Sequence, residues 1–211
     1  MDKIFAIGDI HGCFDQLDRL VKKIGIDFDN DTLVFMGDYI DRGPDSFKVV
    51  EFLINIKKKC PKAVFLKGNH EEMFENYLLG EDMIRFLQNG GRMTIESYVR
   101  ENSNENRFYM PPGHEDFFHS LVLYYETDEY VFVHAGLRKK VALEKQTADD
   151  LLWIRKGFID SHFDFGKKIV FGHTPFSEPL INENKIGIDT GAVYGNRLTC
   201  LKLPDLFFYS E

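Results

Sequence analysis

Three pairs, Gly8-Asp9, Gly37-Asp38 and Gly68-Asn69, each follow a short apolar run, and their Asp or Asn residues stand 29 and 31 residues apart. A strand, a turn and a returning helix together occupy about 30 residues, so this period fits three consecutive βα units. Ile4-Phe5-Ala6-Ile7 predicts a buried strand, and Leu17, Leu20, Val21 and Ile24 recur at the spacing of one helix face. The pattern then repeats twice. Thr32 to Met36 and Ala63 to Leu66 predict strands, while Phe47, Val50, Leu53 and Ile54, then Met73, Phe74, Tyr77 and Leu78, predict helix faces. Pro44 suits the first turn of the second helix. Parallel strands joined by right-handed crossovers bring all three turns to one edge of a sheet.

The final third is β-rich. Leu121 to Tyr125 and Tyr130 to Val133 flank a polar turn as a hairpin, a helix is predicted near Asp149 to Phe158, and strands at Ile169 to Phe171, Lys185 to Ile188 and Leu198 to Leu203. A second sheet packed on the first follows, giving an α/β chain. The segment from Gly80 to Phe118 mixes helix and loop, broken at Gly90-Gly91 and Pro111-Pro112-Gly113, and is expected to contribute to a cleft wall. No linker, repeat or low-complexity tract interrupts the chain, so residues 1–211 read as one domain. With 44% hydrophobic residues, including 20 Phe and 9 Tyr, burial alone can hold such a fold. Cys13, Cys60 and Cys200 are far apart and predict reduced thiols rather than a disulfide framework. A net charge of −8 argues against nucleic-acid or membrane partners, and no apolar run is long enough for a signal peptide or membrane span. The expectation is a cytoplasmic monomer.

The polar turns carry the chemistry. Taken alone, Asp9-Ile10-His11 reads as a turn with a solvated histidine. The same residue types recur, however, at Asp38, Asn69-His70, His134 and His173, each beside a β-like run or a glycine. Ligand-type side chains at every strand end point to a shared metal site. Oxygen and imidazole donors without cysteine suit Mn²⁺, Fe or Zn²⁺, and six of them suggest two ions bridged by a carboxylate. Two divalent ions, two carboxylates and a hydroxide sum to roughly +1, a local positive centre that draws phosphate into an otherwise acidic chain.

Gly8-Asp9-Ile10-His11-Gly12, Gly37-Asp38-x-x-Asp41-Arg42-Gly43 and Gly68-Asn69-His70-Glu71 resemble the signature of PPP-type serine/threonine protein phosphatases, within the calcineurin-like metallophosphoesterases. The likeness is to their compact bacterial and phage branch, and it extends through Leu152-Trp153-Ile154-Arg155, Phe171-Gly172-His173-Thr174-Pro175 and Ile188-Asp189-Thr190-Gly191-Ala192-Val193. The resemblance implies two packed mixed β-sheets flanked by helices. It assigns Asp9, His11 and Asp38 to one metal ion and Asp38, Asn69, His134 and His173 to the other, with manganese the favoured metal. Arg42 and Arg155 would grip phosphoryl oxygens, Asn69 would border the substrate, and Tyr194 would overhang the cleft. His70 would protonate the leaving group, its imidazolium held by Asp41. Attack by a hydroxide shared between the ions, without a phosphoenzyme, is the implied route for a phosphoprotein or small phosphoester substrate.

Two other functions are compatible with these motifs. One is symmetrical dinucleoside polyphosphate hydrolysis, against which Asp41-Arg42-Gly43 and Asn69-His70-Glu71 are read, since those hydrolases tend to carry Ala-Arg-Gly and Asn-His-Asp. The other is a catalytically silent scaffold, disfavoured because the whole ligand set is present. His114, His119 and His162 are read as hydrogen-bonding residues and Cys13 as a small buried hydrophobe. Asp189 is either a support for the metal shell or ordinary turn chemistry.

Overall fold

A computed structural model describes residues 3–102 and 107–211, so part of the middle segment, residues 103–106, lies outside the described residues. The three predicted βα units form as β1 (Ile4–Ile7), α1 (Phe14–Ile24), β2 (Thr32–Phe35), α2 (Ser46–Lys59), β3 (Ala63–Phe65) and α3 (Asn69–Leu78). Strands β1, β2 and β3 pair in parallel, and the ends of all three point to one sheet edge, where Asp9, Asp38 and Asn69 follow them. Pro44 falls outside α2, which starts at Ser46 after Asp45. The third turn is itself helical: Asn69, His70 and Glu71 open α3, and the Glu71 carboxylate accepts the Gly68 N–H at 2.9 Å.

The middle segment forms α4 (Met83–Phe86), a π-helical turn over Leu87–Gly91, α5 (Arg92–Glu101) and α6 (Pro112–His119). Beyond it, β4 (Tyr124–Glu126) and β5 (Tyr130–Val133) make the predicted hairpin, with β4 displaced to a later start than the sequence suggests. The helix predicted from Asp149 to Phe158 is broken into α7 (Ala148–Trp153) and α8 (Lys156–Ile159). Ile154 is extended there, and Arg155 has φ −128° and ψ −107°. Leu151 and Phe158, on either side of the break, both bury against the second sheet. Strands β6 (Lys168–Phe171), β7 (Leu180–Ile181), β8 (Lys185–Gly187), β9 (Thr199–Leu203) and β10 (Phe207–Ser210) complete the described chain, β7 and β10 being short edge strands that periodicity did not reveal.

Two five-stranded mixed sheets result, ordered β10-β9-β1-β2-β3 and β4-β5-β6-β8-β7. Alternate residues of each strand serve two different cores. Phe5, Ile7, Leu33 and Phe35 pack with Leu17, Leu20, Val49 and Leu53 of α1 and α2. Val131, Val133, Ile169 and Phe171 pack with Leu151 and Phe158. Their neighbours Ala6, Val34, Phe132, Val170, Ile186 and Leu201 meet between the sheets. Strands buried on both faces read as unbroken apolar runs, which is how these appear in the sequence. Phe132 is fully buried in the intersheet layer. Phe132→Ala is expected to destabilise the protein by about 3–5 kcal/mol, seen as a lower urea midpoint at unchanged m-value. Among the described residues, no helix is long and apolar enough to cross a membrane, and Cys13, Cys60 and Cys200 are free thiols.

Candidate metal centre

Backbone strain concentrates where the strands end. Eight non-glycine residues among those described have positive φ, and five of them are His11, Asp38, Asp41, Arg42 and His173. Left-handed backbone disfavours L-residues, so a cluster of it at one place marks geometry held for a purpose. The loops also approach one another more closely than side chains allow. A Cβ on Gly172 would lie 2.1 Å from Asp9 Oδ1, and one on Gly68 would lie 2.2 Å from Asp38 Oδ1. Both positions therefore require glycine.

The imidazoles are fixed by carbonyls. His11 Nδ1 donates to the Ile40 carbonyl at 2.9 Å, and His134 Nδ1 donates to the Met36 carbonyl at 2.8 Å. Since a carbonyl can only accept, the proton sits on Nδ1 and each Nε2 presents a lone pair. His11 Nε2 faces Asp38 Oδ2 at 3.4 Å, and His134 Nε2 faces Asp38 Oδ1 at 3.4 Å and Asn69 Oδ1 at 3.0 Å. Burial lowers the pKa of His11 to about 3, and burial with the neighbouring His134 lowers that of His173 to about 2, so both rings are neutral. Burial opposes ionisation of Asp38, but the imidazoles of His134, His70, His11 and His173 outweigh it and hold its carboxyl below the usual range.

Lone pairs of buried oxygens and imidazoles converging on one place are what a cation site needs. Asp9 Oδ1, His70 Nε2 and both ring nitrogens of His173 are buried without a hydrogen-bond partner among the described residues. Two triads, His11–Asp38–His70 and Asp38–His134–His173, bring their ligand atoms within 4.8 Å of one another and share Asp38. Asp9 belongs to neither triad. It joins the centre through Oδ2, which accepts the His173 N–H at 2.9 Å. The donor set thus fits divalent metal ions.

Around the triads sit the remaining residues singled out from the sequence. His70 Nδ1 lies 2.6 Å from Asp41 Oδ2, and Asp41 Oδ1 accepts from Thr94 Oγ1 at 2.6 Å. Burial works against the His70 imidazolium, but the Asp38 charge and the Asp41 hydrogen bond prevail and raise its pKa. Arg42 Nη1 lies 2.6 Å from His11 Nε2, and the Arg42 guanidinium stands 5.7 Å from the centre of the exposed Tyr194 ring. Arg155 is exposed beside Thr174 Oγ1 at 3.4 Å, close enough for its charge to act on His134 and His173. Asp189 accepts the Gly191 N–H at 2.9 Å, the turn role, while its burial raises its pKa to about 6. His114 is a buried hydrogen-bonding residue, between Tyr98 Oη and Glu51 Oε1.

Glu71 is the residue the motifs contained but sequence reasoning left without a role. Its buried carboxylate accepts three backbone N–H groups, those of Asp38, Tyr39 and Gly68 at 2.8–2.9 Å, and so ties the second loop to the third. Burial and the adjacent Asp38 push its pKa up to about 8 against those bonds. A Glu three residues into a helix, after a glycine, was the available signal. Thr94 and Ser46, which hold Asp41, had none, since Thr94 comes from α5 across the cleft.

Comparison with known proteins matches residues 2–202 to the calcineurin-like phosphoesterases. A bis(5'-nucleosyl)-tetraphosphatase PrpE [asymmetrical] from Oceanobacillus iheyensis is 30% identical, over 99% of this chain and 91% of that protein. A solved structure of a candidate diadenosine tetraphosphatase superposes with a TM-score of 0.76 at 22% identity, covering 100% of this chain and 93% of that one. A cold-active protein tyrosine phosphatase superposes with a TM-score of 0.72 at 19% identity, covering 100% and 78%. Likeness at those two identities shows the fold alone. The nearly full-length tetraphosphatase relative overturns the expectation of a serine/threonine protein phosphatase. Asp41 and His70 are a buried hydrogen-bonded pair beside the triads, which contact no part of the chain that would distinguish one phosphoester from another, so Asp-Arg-Gly and Asn-His-Glu do not report the substrate. With a match over residues 2–202 and a donor set built for divalent ions, the chain belongs to the calcineurin-like phosphoesterases, a family of metal-dependent hydrolases.

Proposed function

We propose that this chain hydrolyses bis(5'-nucleosyl) tetraphosphates asymmetrically, adding one water across one P–O–P bridge to release a nucleoside triphosphate and a nucleoside monophosphate. The observation that carries this reading is the 30% identity to the PrpE tetraphosphatase over 99% of the chain. Asp9, His11 and Asp38 would hold one divalent ion, and Asp38, Asn69, His134 and His173 the other, a nitrogen and oxygen set suited to Mn²⁺, Fe or Zn²⁺. Bound ions would supply positive charge to the phosphoryl oxygens and activate water at neutral pH.

The chain's own residues do the rest. The Ile40 and Met36 carbonyls keep His11 and His134 in the tautomer whose Nε2 carries a lone pair rather than a proton. Arg42 and Arg155 offer planar donor arrays to non-bridging oxygens, which a lysine would meet only as a point charge. His70, protonated between Asp38 and Asp41, donates from Nε2 to the departing phosphate oxygen. His70 lies within reach of His11 and Asp38 as a ligand would, but two carboxylate neighbours favour its charged form, which has no lone pair to give.

The test is product analysis by anion-exchange chromatography after Mn²⁺-loaded protein acts on diadenosine tetraphosphate. Equal amounts of ATP and AMP are expected. Formation of ADP alone would replace asymmetrical by symmetrical cleavage, and phosphopeptide turnover without dinucleotide turnover would overturn the reading.

A further inference from the structure

Beside the metal centre stands a second construction that the chemistry above does not use. Trp153, the only tryptophan in the chain, ends α7 with its ring edge-on to His173 at 6.2 Å. Its indole N–H donates to Glu72 Oε2 on α3 at 2.7 Å, which fixes the ring's orientation. The Arg85 guanidinium of α4 lies over the ring, 4.0 Å from its centre. Arg85 also lies 3.7 Å from the Asp82 carboxylate just before α4, and its side chain is 46% exposed.

The segment carrying Arg85 also reaches the other side of the centre, where the Gly90 carbonyl accepts the Arg42 N–H at 3.1 Å. Around Arg85, Met83, Ile84 and Leu87 expose 49%, 71% and 44% of their surface. A wall therefore runs from Arg42 to Trp153, with an oriented ring, a planar cation stacked on it and apolar side chains facing solvent.

A planar cation backed by an aromatic ring and bordered by apolar groups recognises a flat, polarisable nucleobase, which the ribose sets several bonds away from the phosphate under attack. We infer that Arg85, stacked on Trp153, is a specificity-determining residue that holds one nucleobase of the dinucleotide substrate while the scissile phosphate occupies the metal centre. The inference rests on the tetraphosphatase reading and adds the part of the substrate a bare phosphoester lacks. Trp153 sets the guanidinium plane, its edge towards His173 places that plane next to the phosphate chain, and the apolar rim covers the base's edges.

The experiment compares diadenosine tetraphosphate with p-nitrophenyl phosphate, which carries no base, on Mn²⁺-loaded wild type, Arg85→Ala and Arg85→Lys. Arg85→Ala is expected to raise KM for the dinucleotide about tenfold or more at unchanged kcat, with both constants for p-nitrophenyl phosphate unchanged. Unchanged p-nitrophenyl phosphate turnover also shows that the variant is folded. Arg85→Lys keeps the charge but not the plane, so it should resemble Arg85→Ala. Wild-type KM in Arg85→Lys would overturn stacking in favour of simple charge attraction, and wild-type KM in Arg85→Ala would remove the subsite while leaving the tetraphosphatase reading intact. A wild type that hydrolyses p-nitrophenyl phosphate but not the dinucleotide would remove both.

Discussion

Asp38→Asn is expected to bring the metal content of Mn²⁺-loaded, desalted protein from about two ions per chain to below one, and to lower turnover on diadenosine tetraphosphate at least about 10³-fold. Both ligand triads share this one carboxylate, whose two oxygens face different histidines, His11 across one and His134 across the other. Asparagine keeps the shape and one oxygen but replaces the other with a donor, so it points N–H groups where a cation must sit. It also removes the charge that offsets burial around four imidazoles. The fold should survive, because Asn can still accept the His70 N–H that Asp38 Oδ1 accepts at 3.1 Å. Elemental analysis and the melting temperature in chelator separate the two effects. Two ions retained by Asp38→Asn would show that the triads are not joined through this residue.

His70→Asn is expected to lower kcat by about 10²–10⁴-fold, the range for losing a positioned proton donor, with metal content unchanged. The loss should be greatest for an alkyl phosphomonoester and smallest for the dinucleotide, because a departing phosphate oxygen needs a proton less than a departing alkoxide does. Geometry gives this prediction its risk. His70 Nε2 is buried without a partner, 4.0 Å from Asp38 Oδ2, a place from which it could ligate an ion as readily as donate a proton. The 2.6 Å contact to Asp41 favours the acid, since a carboxylate at Nδ1 and another near Nε2 both stabilise the charged ring. An ion lost along with His70 would reverse that assignment.

The three βα units were legible because their strands are buried on both faces and their helices on one. Both leave patterns in apolar spacing, and the constant period between Asp9, Asp38 and Asn69 then put the loops together. The break at Ile154 and Arg155 left no such pattern, because Leu151 and Phe158 bury in the same layer whether or not one helix joins them. Short edge strands such as β7 are fixed by pairing with β8, a long-range contact with no local signature. The substrate class was misread for a related reason. Motif residues surround the place where phosphorus would be attacked, whereas recognition of a substrate beyond the phosphate falls to side chains that no motif contains, a part proposed above for Arg85 on a four-residue helix.

By itself, then, the sequence determined the layered α/β architecture and the inventory of ligand-type side chains, since both follow from residue type at regular spacing. Only the tertiary structure decided which nitrogen of His11 and of His134 carries the proton, that Asp38 stands between two triads, that Glu71 and Thr94 hold the loops, and that Arg85 lies on Trp153. Those are relations between groups tens of residues apart. They depend on backbone held in left-handed conformations and on glycines pressed against carboxylates, which no one-dimensional pattern encodes.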